Sequence, residues 1–291
     1  MSPIGKHPIE YFCFDCRLYD KSEAFQLAIK QQYCKYLQAT CFKFRKSMPD
    51  IKVGICSVGA TVNRNPEIKP VIICPHRFKE STMFETIRLK YLSDWKNVKW
   101  IPEVNIGVGG SVDYVAVELD EYGNIRDFLC VEIQAGGTTG SPYYWIENLK
   151  TYGKLIDPKK SFGINWANEF SKTMMQQAYK KGKIVERWNR KIVFVIQDVA
   201  MDYIMATSDC SKLEEYTSDY PVDFCTFGLK ESADCDWQLE FRDIYSTTID
   251  GINTMIGGAS VNDYLTEEEF ILNILKKGIS DGRLKQPDGF L

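Results

Sequence analysis

The chain has 291 residues, 36 of them basic and 39 acidic, for a formal net charge of −3; 44% of its residues are hydrophobic and 26% charged. This balance excludes a disordered, collagen-like or coiled-coil chain. No apolar run reaches the roughly 18 residues of a membrane span, and the opening Met1-Ser2-Pro3-Ile4-Gly5-Lys6 lacks a signal-peptide core, so a cytoplasmic protein of one large or two small domains is expected.

Residues 22–38 alternate as an amphipathic helix, with Phe25, Leu27, Ala28 and Ile29 among polar neighbours. Residues 70–74 read as a short buried strand. Thr82 followed by Glu85 is a capping-box pattern that opens a helix carrying Phe84, Ile87, Tyr91 and Leu92. Residues 112–119 alternate as a strand, Asp120-Glu121-Tyr122-Gly123-Asn124 is turn chemistry, and residues 125–134 form a second strand, which makes a hairpin. Residues 143–155 and 166–181 have helical patterning, and residues 191–197 form a buried strand. The remainder reads as short helices and acidic loops, with no internal repeat.

Charge is uneven along this order. Residues 141–195 carry net +7, whereas residues 196–291 carry net −12. A basic segment in an acidic protein can hold a polyanion, because the field follows local charge; a solvated lysine-rich helix face would have the same composition.

The hairpin holds the residues with the most chemistry. Asp113 lies near the start of one strand; Glu132 and Gln134, two apart on the next, leave the same face. Two carboxylates on adjacent strands suit a hard divalent cation such as Mg²⁺, and a third polar group beside them can orient a water. This is a constellation for metal-assisted phosphodiester hydrolysis. In the general nuclease pattern, Asp…Glu-x-Lys, the third residue is a lysine; Gln134 holds a water without supplying charge. Three polar residues on an exposed sheet face would give the same string. Gly109-Gly110 before the first strand and Gly136-Gly137 after the second favour a site, since paired glycines permit close approach of backbone.

Ten cysteines occur, six of them within the first 74 residues. In a reducing compartment such clustering points to metal more than to disulfides. Spacing alone nominates Cys13-x-x-Cys16 as one metal knuckle. Cys130 falls in a strand and reads as a packed hydrophobe, and Cys210, Cys225 and Cys235 read as structural.

Four stretches carry a resemblance to a known family: Cys41-Phe42-Lys43-Phe44-Arg45-Lys46-Ser47 with Cys34 upstream; Gly54-Ile55-Cys56-Ser57-Val58; Ile72-Ile73-Cys74-Pro75-His76-Arg77-Phe78; and Val112-Asp113-Tyr114 through Val131-Glu132-Ile133-Gln134-Ala135 to Thr138-Thr139-Gly140. The last continues into Gly163-Ile164-Asn165-Trp166 and Val195-Ile196-Gln197-Asp198. Over residues 8–204 the chain resembles the NotI-type type II restriction endonucleases.

The resemblance implies an α/β fold: a restriction-endonuclease-like core of a mixed β-sheet flanked by helices, with a small four-cysteine metal-binding module near the N-terminus. The division expected is residues 1–80 for the module and 81–291 for the endonuclease core with its acidic extension, the two capable of forming one integrated domain. It further implies catalysis by Asp113 and Glu132 as Mg²⁺ ligands and Gln134 as the water-orienting residue. An upstream glutamate completes the family's site; Glu103 is the candidate and Glu85 the runner-up. Iron or zinc would be held by Cys34, Cys41, Cys56 and Cys74, which conflicts with the spacing argument for Cys13 and Cys16; His76 reads as a polar loop residue.

Expected DNA contacts are Lys43, Arg45, Lys46 and Arg77 around the cysteines, gripping phosphates, and Asn165, Asn168, Lys172 and Gln176 on a helix whose buried side is Phe170, Met174 and Met175. The expected activity is Mg²⁺-dependent cleavage of double-stranded DNA at a palindromic site by a homodimer in a prokaryotic restriction-modification system. A non-catalytic DNA-binding module, or a structure-specific repair nuclease on the same fold, is the alternative that neutral Gln134 keeps open.

Overall fold

The computed structural model describes residues 5–45, 48–62, 65–107, 110–232, 234–257 and 266–281. Its centre is a seven-stranded mixed sheet in the order Leu213–Glu215, Trp237–Thr247, Val222–Glu231, Ile192–Gln197, Ile125–Ile133, Ser111–Leu119, Val98–Asn105. The last three strands form an antiparallel meander. Ile125–Ile133, Ile192–Gln197 and Val222–Glu231 run parallel to one another, which requires crossovers, and helices supply them.

Alternation along the central strands creates two apolar faces. Leu129, Val131, Ile133, Val193, Val195, Cys225 and Phe227 pack with Met83 and Ile87 of the helix Ser81–Tyr91. Cys130, Ile192, Phe194, Ile196, Val222 and Phe224 pack on the other side with Met174, Met175, Ala178 and Val185. Those belong to a π-helical segment, Ala167–Met174, that runs into the helix Met175–Arg187. Even-numbered side chains of the Ile125–Ile133 strand therefore face the basic helix.

A smaller antiparallel sheet, Phe14–Asp15, Pro8–Tyr11, Ile55–Thr61, Ile68–Ile72, holds the N-terminal region. The Gln197 side chain fastens it to the large sheet: its Oε1 accepts the N–H of Ile72 at 2.8 Å and its Nε2 donates to the carbonyl of Pro70 at 2.7 Å. A second bond runs from the Gly136 N–H to the Ile72 carbonyl at 2.9 Å.

Several expected elements are shorter or differently bounded. The first helix ends at Gln31, where Gln32 turns left-handed (φ 52°), and Tyr33–Cys34 pairs as a strand with Ala39–Thr40. The helix expected to open at Thr82 starts at Ser81 with Glu80 at the N-cap and no side-chain cap bond. The acidic region read as loops contains two long strands, Val222–Glu231 and Trp237–Thr247, that extend the main sheet. Among the described residues no helix is long and apolar enough to cross a membrane.

Candidate active site

Glu132 ends the Ile125–Ile133 strand opposite Phe194 of its parallel neighbour, and its side chain is buried against the basic helix. Oε1 accepts a 2.6 Å bond from Lys181 Nζ, which also donates to the Ser111 carbonyl at 2.7 Å. Oε2 is buried without a partner among the described residues. Burial raises the Glu132 pKa above its ordinary value, while Lys181 opposes the rise.

Asp113 lies beside it. Its Oδ2 accepts the backbone N–H of Ile133 at 2.7 Å, the peptide unit between Glu132 and Gln134. Gln134 continues beyond the strand, its own N–H bonded to the Val195 carbonyl at 2.9 Å. The three residues thus gather at one strand end.

Gln134 lines an open cleft of about 460 Å³ with Lys43, Phe44, Ile73, Gly137 and Glu169. One wall belongs to the N-terminal region and the other to the loop after the hairpin. Gly136 and Gly137 are close approaches: a Cβ on Gly136 would meet the Ile72 carbonyl at 3.3 Å, and one on Gly137 would meet Glu169 Oε1 at 2.3 Å. The other glycine pair differs. Gly110 has φ +84° with open space around it, so a turn conformation is what it serves; Gly109 lies outside the described residues.

Glu103 falls between the Pro102–Tyr114 and Val104–Val112 pairs, hence across from Asp113. It is exposed, with a left-handed backbone (φ 54°) in mid-strand, a strained conformation of the sort that collects near functional sites. Glu85 is exposed on the helix that covers the opposite face from Glu132.

Sequence reasoning missed Lys181. Its only signal was its place in the net-positive segment, where the eye takes lysines as solvated; this one is 3% exposed.

The cysteines are arranged differently from expectation. Among the described residues no group of three or more His, Cys, Asp or Glu side chains stands ready to hold a metal ion, so the four-cysteine module of Cys34, Cys41, Cys56 and Cys74 is not formed as a ligand shell. Two thiol pairs are in hydrogen-bond contact, Cys13 with Cys34 at 3.7 Å and Cys13 with Cys56 at 3.9 Å. Cys41, Cys74 and His76 line the same small cavity. Cys13 therefore joins the cluster from which the family pattern left it out, because Phe12 and Cys13 form a left-handed turn (φ 46° and 69°) after the first strand. Cys16 is buried elsewhere, beside Asp15 and Glu10. Both ring nitrogens of His76 are buried and lack a hydrogen-bond partner among the described residues, and burial lowers its pKa to about 4.

One expected phosphate contact is corrected. Arg77 has no exposed surface: Nε bonds Glu10 at 2.9 Å, Nη1 bonds Glu80, and Nη2 bonds the Trp237 carbonyl at 2.5 Å. A guanidinium used on all sides cannot reach DNA; it ties the N-terminal sheet to the late strands. Lys43 lines the cleft and donates to the Ile73 carbonyl at 2.6 Å. Arg45 closes the two-residue strand Phe44–Arg45, and Lys46 lies outside the described residues. Asn165 donates its backbone N–H to Gly137. Asn168, Lys172 and Gln176 are exposed, while Phe170, Met174 and Met175 are buried.

A family model described as restriction endonuclease NotI matches residues 30–217, more than half of the chain, and includes Asp113, Glu132, Gln134 and Lys181. No curated protein matches the chain. With two carboxylates and a glutamine meeting at one strand end inside the matched region, the chain belongs to the NotI restriction endonuclease family.

Proposed function

We propose that this nuclease is a type II enzyme that hydrolyses phosphodiester bonds at a specific palindromic site in duplex DNA with Mg²⁺, acting as a homodimer whose two-fold axis matches that of the site. The observation that carries the reading is Glu132: one carboxylate oxygen is held by Lys181, and the other is buried with no partner among the described residues. An unpaired buried acceptor costs on the order of 1–3 kcal/mol or more, and a cation shared with Asp113 would relieve that cost. When bound, Mg²⁺ polarises the phosphate and eases deprotonation of the attacking water.

The chain's own groups do the rest. Asp113 and Glu132 hold the cation. Gln134 accepts from and orients the water in the cleft. Glu103, across from Asp113, is the further carboxylate. Lys43, Arg45, Asn165, Asn168, Lys172 and Gln176 serve phosphates and base edges along the cleft and the exposed helix row.

A structural iron or zinc ion at the N-terminal thiols would have to draw into one shell side chains that, among the described residues, do not form one. Metal–sulfur bonds of about 2.3 Å place tetrahedral sulfurs about 3.8 Å apart, close to the Cys13–Cys34 and Cys13–Cys56 separations. Its ligands would be Cys34 and Cys56 of the expected four, with Cys13 beside them and either Cys41 or Cys74. Its role is to hold the cleft wall that carries Lys43 and Phe44.

The test is a digest of long, unmethylated phage DNA with Mg²⁺. Discrete bands, abolished by Asp113→Ala, support the reading. A smear would replace it with a non-specific or repair nuclease. Intact DNA that shifts in a binding assay would replace it with a binding module.

A further inference from the structure

We propose that Lys181 is the migrated cation of this site, standing in for a lysine at position 134 and acting as a positioning residue on Glu132. The proposal rests on the nuclease reading above and adds to it the source of the charge that Gln134 does not bring.

Three observations carry it. First, the ammonium reaches both functional strands: it bonds Glu132 Oε1 at 2.6 Å and the carbonyl of Ser111, which begins the strand of Asp113, at 2.7 Å. It therefore fixes the Glu132 carboxylate by one oxygen and leaves the other for a ligand. Second, the fold brings this helix unusually close. Gly182, the next residue, packs where a Cβ would lie 2.7 Å from both Val222 and Ile249 side chains, so any larger residue would push the helix and its lysine off the sheet. Third, Gln177, one turn earlier and on the same helix side, also leaves its Oε1 buried without a partner among the described residues. Gln177 Oε1, on the helix of Lys181, and Glu132 Oε2, in the Lys181 ion pair, are thus two buried acceptors that lack a partner among the described residues.

A purely structural ion pair explains this less well. Burying a lysine and a glutamate costs several kcal/mol in desolvation, and apolar residues of like volume hold a core at least as well. An ammonium has three N–H donors. Two are engaged, by Glu132 and by the Ser111 carbonyl, which fixes the ammonium and through it the carboxylate.

The experiment moves the charge back to the strand. Single-turnover cleavage is measured for wild type, Lys181→Met, and Lys181→Met combined with Gln134→Lys, with DNA affinity measured separately in Ca²⁺. The expected result is a loss of about 100-fold in rate for Lys181→Met with affinity changed no more than a few-fold, and recovery of at least about tenfold on adding Gln134→Lys. Lys181→Gln keeps a donor to Glu132 and removes only the charge; it and its double with Gln134→Lys are run alongside and read in the same way should the methionine variant fail to fold. Wild-type rates in a folded Lys181 variant, or no recovery in a folded double variant, overturn the proposal. Wild-type protein that leaves all DNA intact overturns the nuclease reading itself, a result in which no Lys181 variant takes part.

Discussion

The Asp113 carboxylate accepts the backbone N–H of Ile133 at 2.7 Å, so it is fastened to the peptide unit between Glu132 and Gln134. Asp113→Asn keeps an acceptor for that N–H and removes the charge. It should therefore fold with a melting temperature near wild type and bind DNA, yet lose more than about 100-fold in cleavage rate. Calorimetry and single-turnover kinetics on the same sample check this; retained cleavage would remove Asp113 from the metal site.

Arg77 and Lys172 should separate stability from DNA binding. Arg77 is enclosed by Glu10, Glu80 and the Trp237 carbonyl, so Arg77→Met strands buried carboxylates and should cost about 3–5 kcal/mol. Lys172 is exposed on the helix row, so Lys172→Ala should leave denaturant stability unchanged. It should instead reduce the slope of log K against log salt by about 1. Urea melts and DNA titrations at several salt concentrations read both effects.

The two glycines after the hairpin should respond differently to a methyl group. At Gly136 the obstacle is the Ile72 carbonyl, 3.3 Å from the new Cβ, in a strand that cannot easily yield; Gly136→Ala should cost on the order of 1–3 kcal/mol. At Gly137 the obstacle is the flexible end of Glu169. Gly137→Ala should cost less, and its cost should vanish in the background of Glu169→Ala. A double-mutant cycle of unfolding free energies measures that coupling, and an unchanged cost in the Glu169→Ala background would contradict the contact.

The thiol cluster makes a further distinction. Cys13→Ser should lose bound iron or zinc by elemental analysis, whereas Cys16→Ser should keep it, since Cys16 lies beside Asp15 and Glu10 and away from the cavity. Equal metal content in both variants would exclude Cys13 as a ligand.

The hairpin, the helix after it and the strand of residues 192–197 were legible because their periodicity is local: period two over nine residues, a turn of Asp, Gly and Asn, and a run of apolar residues. Asp113, Glu132 and Gln134 could be named together for the same reason, as hairpin register is short-range. Lys181 could not, because 49 residues separate it from Glu132 and only tertiary packing reveals that it points inward. Arg77 misled for the converse reason. With Lys43, Arg45 and Lys46 it flanks the cysteines and suggests a basic surface, while Glu10, its main partner, is 67 residues away. The strands Val222–Glu231 and Trp237–Thr247 were hidden by acidic composition and, in the first, by burial on both faces: Phe224 packs on one side of the sheet and Phe227 on the other, which removes the period-two signal.

Those two strands lie beyond residue 217, where the family match ends. The strand Ile192–Gln197, buried at every position, is bordered on one side by Ile125–Ile133 and on the other by Val222–Glu231. A fragment cut at the limit of the match would lose that second neighbour. It would present a row of unpaired backbone groups flanked by Val193, Phe194 and Val195, a template for pairing with other chains. The matched region is thus smaller than the unit that closes the central sheet, and a chain trimmed to residues 30–217 should aggregate more readily than the whole one.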